Sequence, residues 1–284
     1  MSDTYSRAKT KTKISWIIAF FFAIVWLLVA LIPFVFMILN SLRGQGDMLQ
    51  HGVFTLPNPW ILSNYPAVIE KGFFGYFMRS VIVVGVSLTL LLLVTAFASY
   101  PLSRMHFKMR LPIKAFIIAM MSVPMHVTLI PIFKMAKASH LYDTIWALIG
   151  PYVAFALPLS VFILTSFMDQ TIPVDIEEAA EIDGCNRYNL FFRIILPISV
   201  PGLSTLAIYN GVSMWNEFSF ANTLTLSVSA KTLPLALSQF KGENSVNTPL
   251  ILTVLTLSVL PMIILFLIFQ EKLIKGMMAG AVKG

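Results

Sequence analysis

The sequence predicts an all-α, polytopic integral membrane protein with six transmembrane helices and both termini in the cytoplasm. Three observations carry that expectation. Of 284 residues, 57% are hydrophobic and only 12% charged, whereas a soluble domain carries about 25% charged residues; the mean hydropathy of +0.82 agrees. Six uncharged apolar runs reach the roughly 20 residues needed to cross a bilayer. The basic residues lie unequally on the two sides of those runs.

The elements follow in order. A tail, 1–13, precedes the first run, 14–39. This run exceeds the roughly 7–15 apolar residues of a secretory signal and ends without a small-residue cleavage site. Further runs cover 80–103, 115–133, 144–168, 194–216 and 244–270, and a second tail covers 271–284. Prolines 33, 124, 131, 158, 201 and 261 fall inside runs. In water they would argue against helix, but packed membrane helices tolerate kinks where neighbours satisfy the freed backbone groups.

With the N-terminus inside, 13 Lys and Arg fall in inner segments and 7 in outer ones, although the outer segments are longer in total. The excess of basic residues on the cytoplasmic side sets the orientation, and acids contribute little to it. The outer loops are then 40–79, 134–143 and 217–243, and the inner ones 104–114 and 169–193.

Several function classes are disfavoured. One cysteine excludes an internal disulfide and a multi-cysteine metal site. The four histidines form no ligand-spaced pair, and the +7 charge flanks apolar runs without forming a nucleic-acid patch. No cofactor is implied. There is no phosphate loop, so the chain does not itself hydrolyse ATP, and no nucleophile–base pattern. An ion-coupled carrier usually places an acid deep in the membrane, but the six runs contain none; Glu217 lies at the outer end of the fifth. His126, the ionisable side chain nearest a run centre, reads as a hydrogen-bonded packing residue, with a proton relay as its competing role. An ATPase-independent secondary transporter or facilitator, and an intramembrane enzyme, remain the rival classes.

One inner stretch is unusual. Six of the 13 acids (Asp169, Asp175, Glu177, Glu178, Glu181 and Asp183) fall within fifteen residues. Pro173 suits a helix start, the following acids suit the positive end of the helix dipole, and Ala179 and Ala180 are strong helix formers. Gly184 fits a left-handed stop. A helix over roughly 174–183 follows, and Asn186 can cap a second one before Pro197 and Pro201 return the chain to the membrane. Spacing alone leaves two roles open, a solvated connector and an element that enters a partner's groove.

The pattern Glu178-Ala179-Ala180, Gly184, Ile194 and Leu196-Pro197, with Asp183 before the glycine, resembles the signature loop of permease subunits of binding-protein-dependent ABC importers. Nearly the whole chain shares the likeness: "NSLR" after the first run, "NY" at 64–65, "SYPLSRMHF", "LIPIF", "SFMDQTIPVDIEEAA" and "MWNEF" are similar to the carbohydrate-uptake branch, and most to the smaller permease of maltose-type systems. Cys185 stands where that family often has alanine. The resemblance implies the ABC-importer permease fold, a place in the cytoplasmic (inner) membrane, and a coupling helix in 169–193 that docks on a cytoplasmic ATPase. It further implies a heterodimer with a second permease, two ATPase subunits, an extracytoplasmic solute-binding protein at the outer loops, and a sugar or oligosaccharide as solute. Polar residues on the fifth run (Asn210, Ser213 and Asn216) and Ser160 on the fourth are candidates for the solute path, with packing as their competing role.

Overall fold

The computed structural model describes the backbone of residues 2–240 and 247–281. The start of the sixth run, 244–246, and Lys241, expected in an outer loop, lie outside the described residues, as does Lys283 in the C-terminal tail. Among the described residues there is no strand.

The chain divides into two compact units. The first comprises 1–71 and 240–259. It begins with α1 (Ser2–Ser41). The segment Trp16–Ser41 of α1 is apolar on every side, and a helix of that kind suits hydrocarbon rather than water. The loop that follows is knotted by hydrogen bonds. Arg43 is wholly buried; it pairs with Asp47 at 2.6 Å and donates to the Gly52 carbonyl at 2.9 Å and to Thr55 Oγ1 at 3.0 Å. Two short helices, α2 (Gln45–His51) and α3 (Asn64–Glu70), are tied back to the end of α1. Asn64 Nδ2 donates to the carbonyls of Ser41 and Arg43, and Ser41 Oγ lies 2.8 Å from Tyr65 OH. The motifs "NSLR" and "NY" therefore meet each other: they build this loop.

The second unit comprises 72–239 and 260–284. Its centre is the packing of α4 (Phe73–Arg104) against α7 (Ile149–Thr171). The buried stripe of α4 reads Ser80, Val83, Ser87, Leu91, Thr95, Ser99 and Ser103. Small side chains at helical spacing let two backbones approach closely, which is how helices associate where lipid removes the hydrophobic drive. Other large apolar residues of the helix, among them Leu93 and Phe97, point outward.

Two of the predicted runs are not single straight spans. The third is α5 (Arg110–Met120), then a 3₁₀ turn at Met125–Thr128 and α6 (Leu129–Ala138), bent by 89°. Ahead of the fifth, in the loop, lie α8 (Val174–Ile182) and α9 (Arg187–Leu190); the chain then widens through a π turn at Phe191–Ile195 and continues through α10 (Leu196–Ile198) into α11 (Val200–Trp215), bent by 64° between the last two. Proline explains both: it lacks an N–H and drives the preceding residue out of helical geometry. Pro124 stands at the first break, and Pro197 and Pro201 bracket the second. Among the described residues, four helical segments are thus long and apolar enough to cross a membrane, or six if each bent pair counts as one span. The unit also holds α12 (Ser219–Leu224) and all but the last residue of α13 (Leu233–Phe240), while the long α14 (Thr248–Ala281) ends the described chain.

Candidate functional site

At one end of the α4–α7 pair lies the acidic stretch. Its helix, α8, starts after Pro173, which is the N-cap rather than a first-turn residue, and carries Asp175 and Glu177 in its first turn. It ends at Gly184, whose φ of 78° lies in the left-handed region, where a Cβ is strained and glycine is not. Asn186 then caps α9 by accepting from the Asn189 N–H at 2.8 Å.

The helix has two unlike sides. Ala180 is only 5% exposed and joins a core with Met168, Ile172, Leu190 and Ile195. Its neighbour Glu177 forms an ion pair with Arg104 at 2.9 Å; burial pushes the Glu177 carboxyl above its ordinary value, and Arg104 pulls it back down. Away from this root, Glu178, Ala179, Asp183 and Gly184 face solvent, beside Ile182 at 87% and Tyr188 at 79% exposure. Ile194 sits half-buried in the π turn, and Leu196 and Pro197 open α10. The arrangement is an anchored helix with charged, small and apolar groups turned outward together.

Near the other end of α7 is a cavity of about 490 Å3, within the usual range for small-molecule sites. Asn210, Ser213 and Asn216 line it, together with Tyr152, Tyr209 and Phe218. Ser160 does not. It is fully buried behind the wall, donating to the Ala156 carbonyl at 2.8 Å and accepting from Asn210 Nδ2 at 3.1 Å. Its part is to orient the Asn210 amide. The second sequence expectation to change is His126: it is exposed at the break in the third run, on the cavity wall, with Nε2 3.4 Å from Ser219 Oγ.

Glu217 is the carboxylate on this wall, and it is already engaged. It accepts from the Tyr152 hydroxyl at 2.9 Å, from the Phe220 N–H at 2.8 Å and from the Ala221 N–H at 3.1 Å. The last two belong to the first turn of α12, whose orphan donors and positive dipole end favour an anion. Glu217 is therefore a clamp between α7 and α12. Lys and Arg do not occur among the lining residues. The cavity thus offers amides, hydroxyls, an imidazole and aromatic faces, with its carboxylate already engaged. Sequence reasoning noted Glu217 only as a span-end acid; the signal for its role was its place two residues before Ser219, the start of α12.

Comparison with known proteins shows what the chain is similar to. The family described as "Binding-protein-dependent transport system inner membrane component" matches residues 92–278. A putative ABC transporter permease protein of Caldicellulosiruptor sp. (strain Rt8B.4) is 46% identical over 265 residues, covering 93% of this chain and 96% of that one. The trehalose/maltose transport system permease protein MalG of Thermococcus litoralis is 32% identical over 266 residues, covering 92% and 95%. Among solved structures, a chain of a bacterial ABC transporter involved in import of the acidic polysaccharide alginate superposes with a TM-score of 0.79 at 19% identity, covering 91% of this chain and 96% of that chain. At that identity the likeness concerns the fold.

Proposed function

Because the chain belongs to the family of binding-protein-dependent transport system inner membrane components, and so is the membrane-spanning permease subunit of an ABC importer, we propose that α8 is its ATPase-coupling helix and that the solute is a neutral sugar or oligosaccharide. A permease of this family is not itself an enzyme and works with ATPase and binding-protein partners. The finer assembly we read for it is a heterodimer with a second permease, two cytoplasmic ATPase subunits and an extracytoplasmic binding protein at the outer loops, with both termini cytoplasmic.

The observation that carries this reading is the two-sidedness of α8. Glu177 and Ala180 root it in the protein, while Glu178, Ala179 and Ile182 are turned outward. A solvated connector needs no anchor and gains nothing by exposing Ile182. Alanine permits close approach to a groove, and a carboxylate beside it suits a basic partner residue, where charge complementarity fixes register. For the solute, the trehalose/maltose relative and the cavity chemistry point the same way: side-chain amides bond hydroxyls, and Tyr209 and Phe218 offer flat apolar faces. Alternating access follows: movement of α8 by the ATPase passes to α7, which carries part of the cavity wall. The test is capture of the ATPase by detergent-solubilised permease, wild type against Glu178→Lys. Retention by wild type and loss by the variant support the reading; equal capture refutes it.

A further inference from the structure

Arg104, the last residue of α4, holds two other elements at once. Its Nε lies 2.9 Å from Glu177 Oε1 on α8, and its Nη2 donates to the carbonyls of Met168 at 2.6 Å and Ile172 at 2.5 Å, at the end of α7. The Arg104 side chain is 8% exposed and that of Glu177 15%, so water competes weakly for either. A guanidinium meets these groups with separate atoms, Nε beside the Glu177 carboxylate as an ion pair and Nη2 on the two carbonyls; the single ammonium of lysine cannot divide its contacts in this way. The carbonyl-rich end of α7 also favours a cation.

The surrounding contacts make the junction stiff. Ala180 of α8 packs in one core with Met168 and Ile172. One residue beyond Met168, Asp169 accepts from Ser103 of α4 at 2.5 Å and meets Lys114 of α5 at 3.5 Å. From this junction α7 runs 23 residues, about 35 Å at the usual rise, to the turn that places Tyr152 and Phe155 on the cavity wall.

The geometry points to Arg104 as the positioning residue that converts movement of α8 into movement of α7, making the two one rigid piece. This rests on the reading of α8 as the ATPase-docking helix. With the fork removed, α8 still presents its outer face to the ATPase, but the stroke is absorbed at the junction. ATP is then hydrolysed without proportionate transport.

The experiment uses the whole transporter in sealed vesicles and measures three quantities on each preparation: ATPase retained, ATP hydrolysed, and solute taken up. Arg104→Gln is expected to retain the ATPase and hydrolyse ATP while uptake per ATP falls about tenfold, within the usual span of coupling between sites. Arg104→Lys keeps the charge opposite Glu177 but loses the fork, so it should fall between Gln and wild type. Glu177→Gln removes only the α8 arm and lowers the ratio less; it carries the test where Arg104→Gln accumulates poorly. Lys108→Gln, an exposed charge on the same inner loop, leaves the ratio at the wild-type value. A purely structural role for Arg104 would lower the amount of protein and reduce hydrolysis and uptake together. An unchanged uptake per ATP in both Arg104→Gln and Glu177→Gln therefore overturns the proposal. Glu178→Lys is run in parallel: normal ATPase retention and uptake there would bring down the docking reading itself, whatever Arg104 does.

Discussion

The two ends of α7 each meet a carboxylate, and they use it in opposite ways. Near the start of the helix, Glu217 spends its oxygens on the Tyr152 hydroxyl and two N–H groups of α12. At the end of the helix, Glu177 is spent on Arg104, but its neighbour Glu178 is left in solvent. Charge turned inward is scaffold, because a buried carboxylate without donors costs far more than any contact it could offer a solute. Charge turned outward is free to recognise a partner. The difference leaves the Glu217 carboxylate of the cavity wall engaged within its own chain and the Glu178 carboxylate of α8 in solvent.

The comparison can be broken most sharply at its outward-facing end. Glu178→Lys reverses the free charge, and uptake should fall by more than about tenfold, since truncating or opposing one member of a buried interfacial charge pair costs about 2–5 kcal/mol. Accumulation in the membrane should stay normal, because the side chain touches nothing in its own chain that the fold needs. Gly184→Asp should do comparable harm by adding strain and charge together. Immunoblots matched for permease, read beside uptake, check both.

Glu217→Ala tests the inward-facing end. It leaves the Tyr152 hydroxyl and two N–H groups of α12 without their acceptor, at about 1–3 kcal/mol for an unsatisfied buried group. Here the expected loss is in thermal stability of the purified permease, with ATPase capture unaffected. A variant as stable as wild type would mean the clamp is not structural.

A smaller effect is expected from Gly184→Ala, which changes the φ of 78° position without adding charge. The strain is about 1 kcal/mol, too little to unfold the bundle, and uptake should fall by no more than about fivefold at that cost. Gly184→Ala as damaging as Gly184→Asp would show that backbone geometry, and not charge, governs this end.

The smallest effect concerns pH. Asp143, in the loop between α6 and α7, is held below its ordinary value chiefly by the Ser227 N–H, with further donors from the Leu226 N–H and the Ser227 hydroxyl. A depressed carboxylate contributes stability that is present above its unfolded value and lost as pH falls through its lower folded value. Resistance of the 217–240 segment to proteolysis should therefore drop below about pH 4, and Asp143→Asn should show part of that sensitivity already at neutral pH. Identical digestion profiles for wild type and Asn variant would remove the loop clamp from the account.

Much of this layout was legible from residues alone, and the gaps have physical reasons. The apolar runs are visible because lipid demands them, and α8 is visible because proline, acids, alanines and glycine each act locally. Gly184 and Asn186 do what their chemistry favours, with no help from distant neighbours. The bends of 89° and 64° were hidden. A hydropathy run counts residues and carries no direction, and Pro33, Pro101, Pro158 and Pro261 sit inside unbroken helices, so a single proline does not announce a break. Ser160 was expected on the solute path but orients Asn210 from behind, because polarity marks a residue without saying which side of a wall it occupies. Arg104 and Glu177 are 73 positions apart, and only the folded α4–α7 pair brings them together.

The central claim, that the α8 end faces the cytoplasm and receives the ATPase, has one direct test in the sole thiol of the chain. Cys185 follows Gly184 and is half-buried at the edge of α8. Membrane-impermeant maleimide should label it in inside-out vesicles and not in right-side-out ones, and bound ATPase should slow that labelling. Labelling from the outer face, or a rate in inside-out vesicles that the ATPase leaves unchanged, would contradict the account.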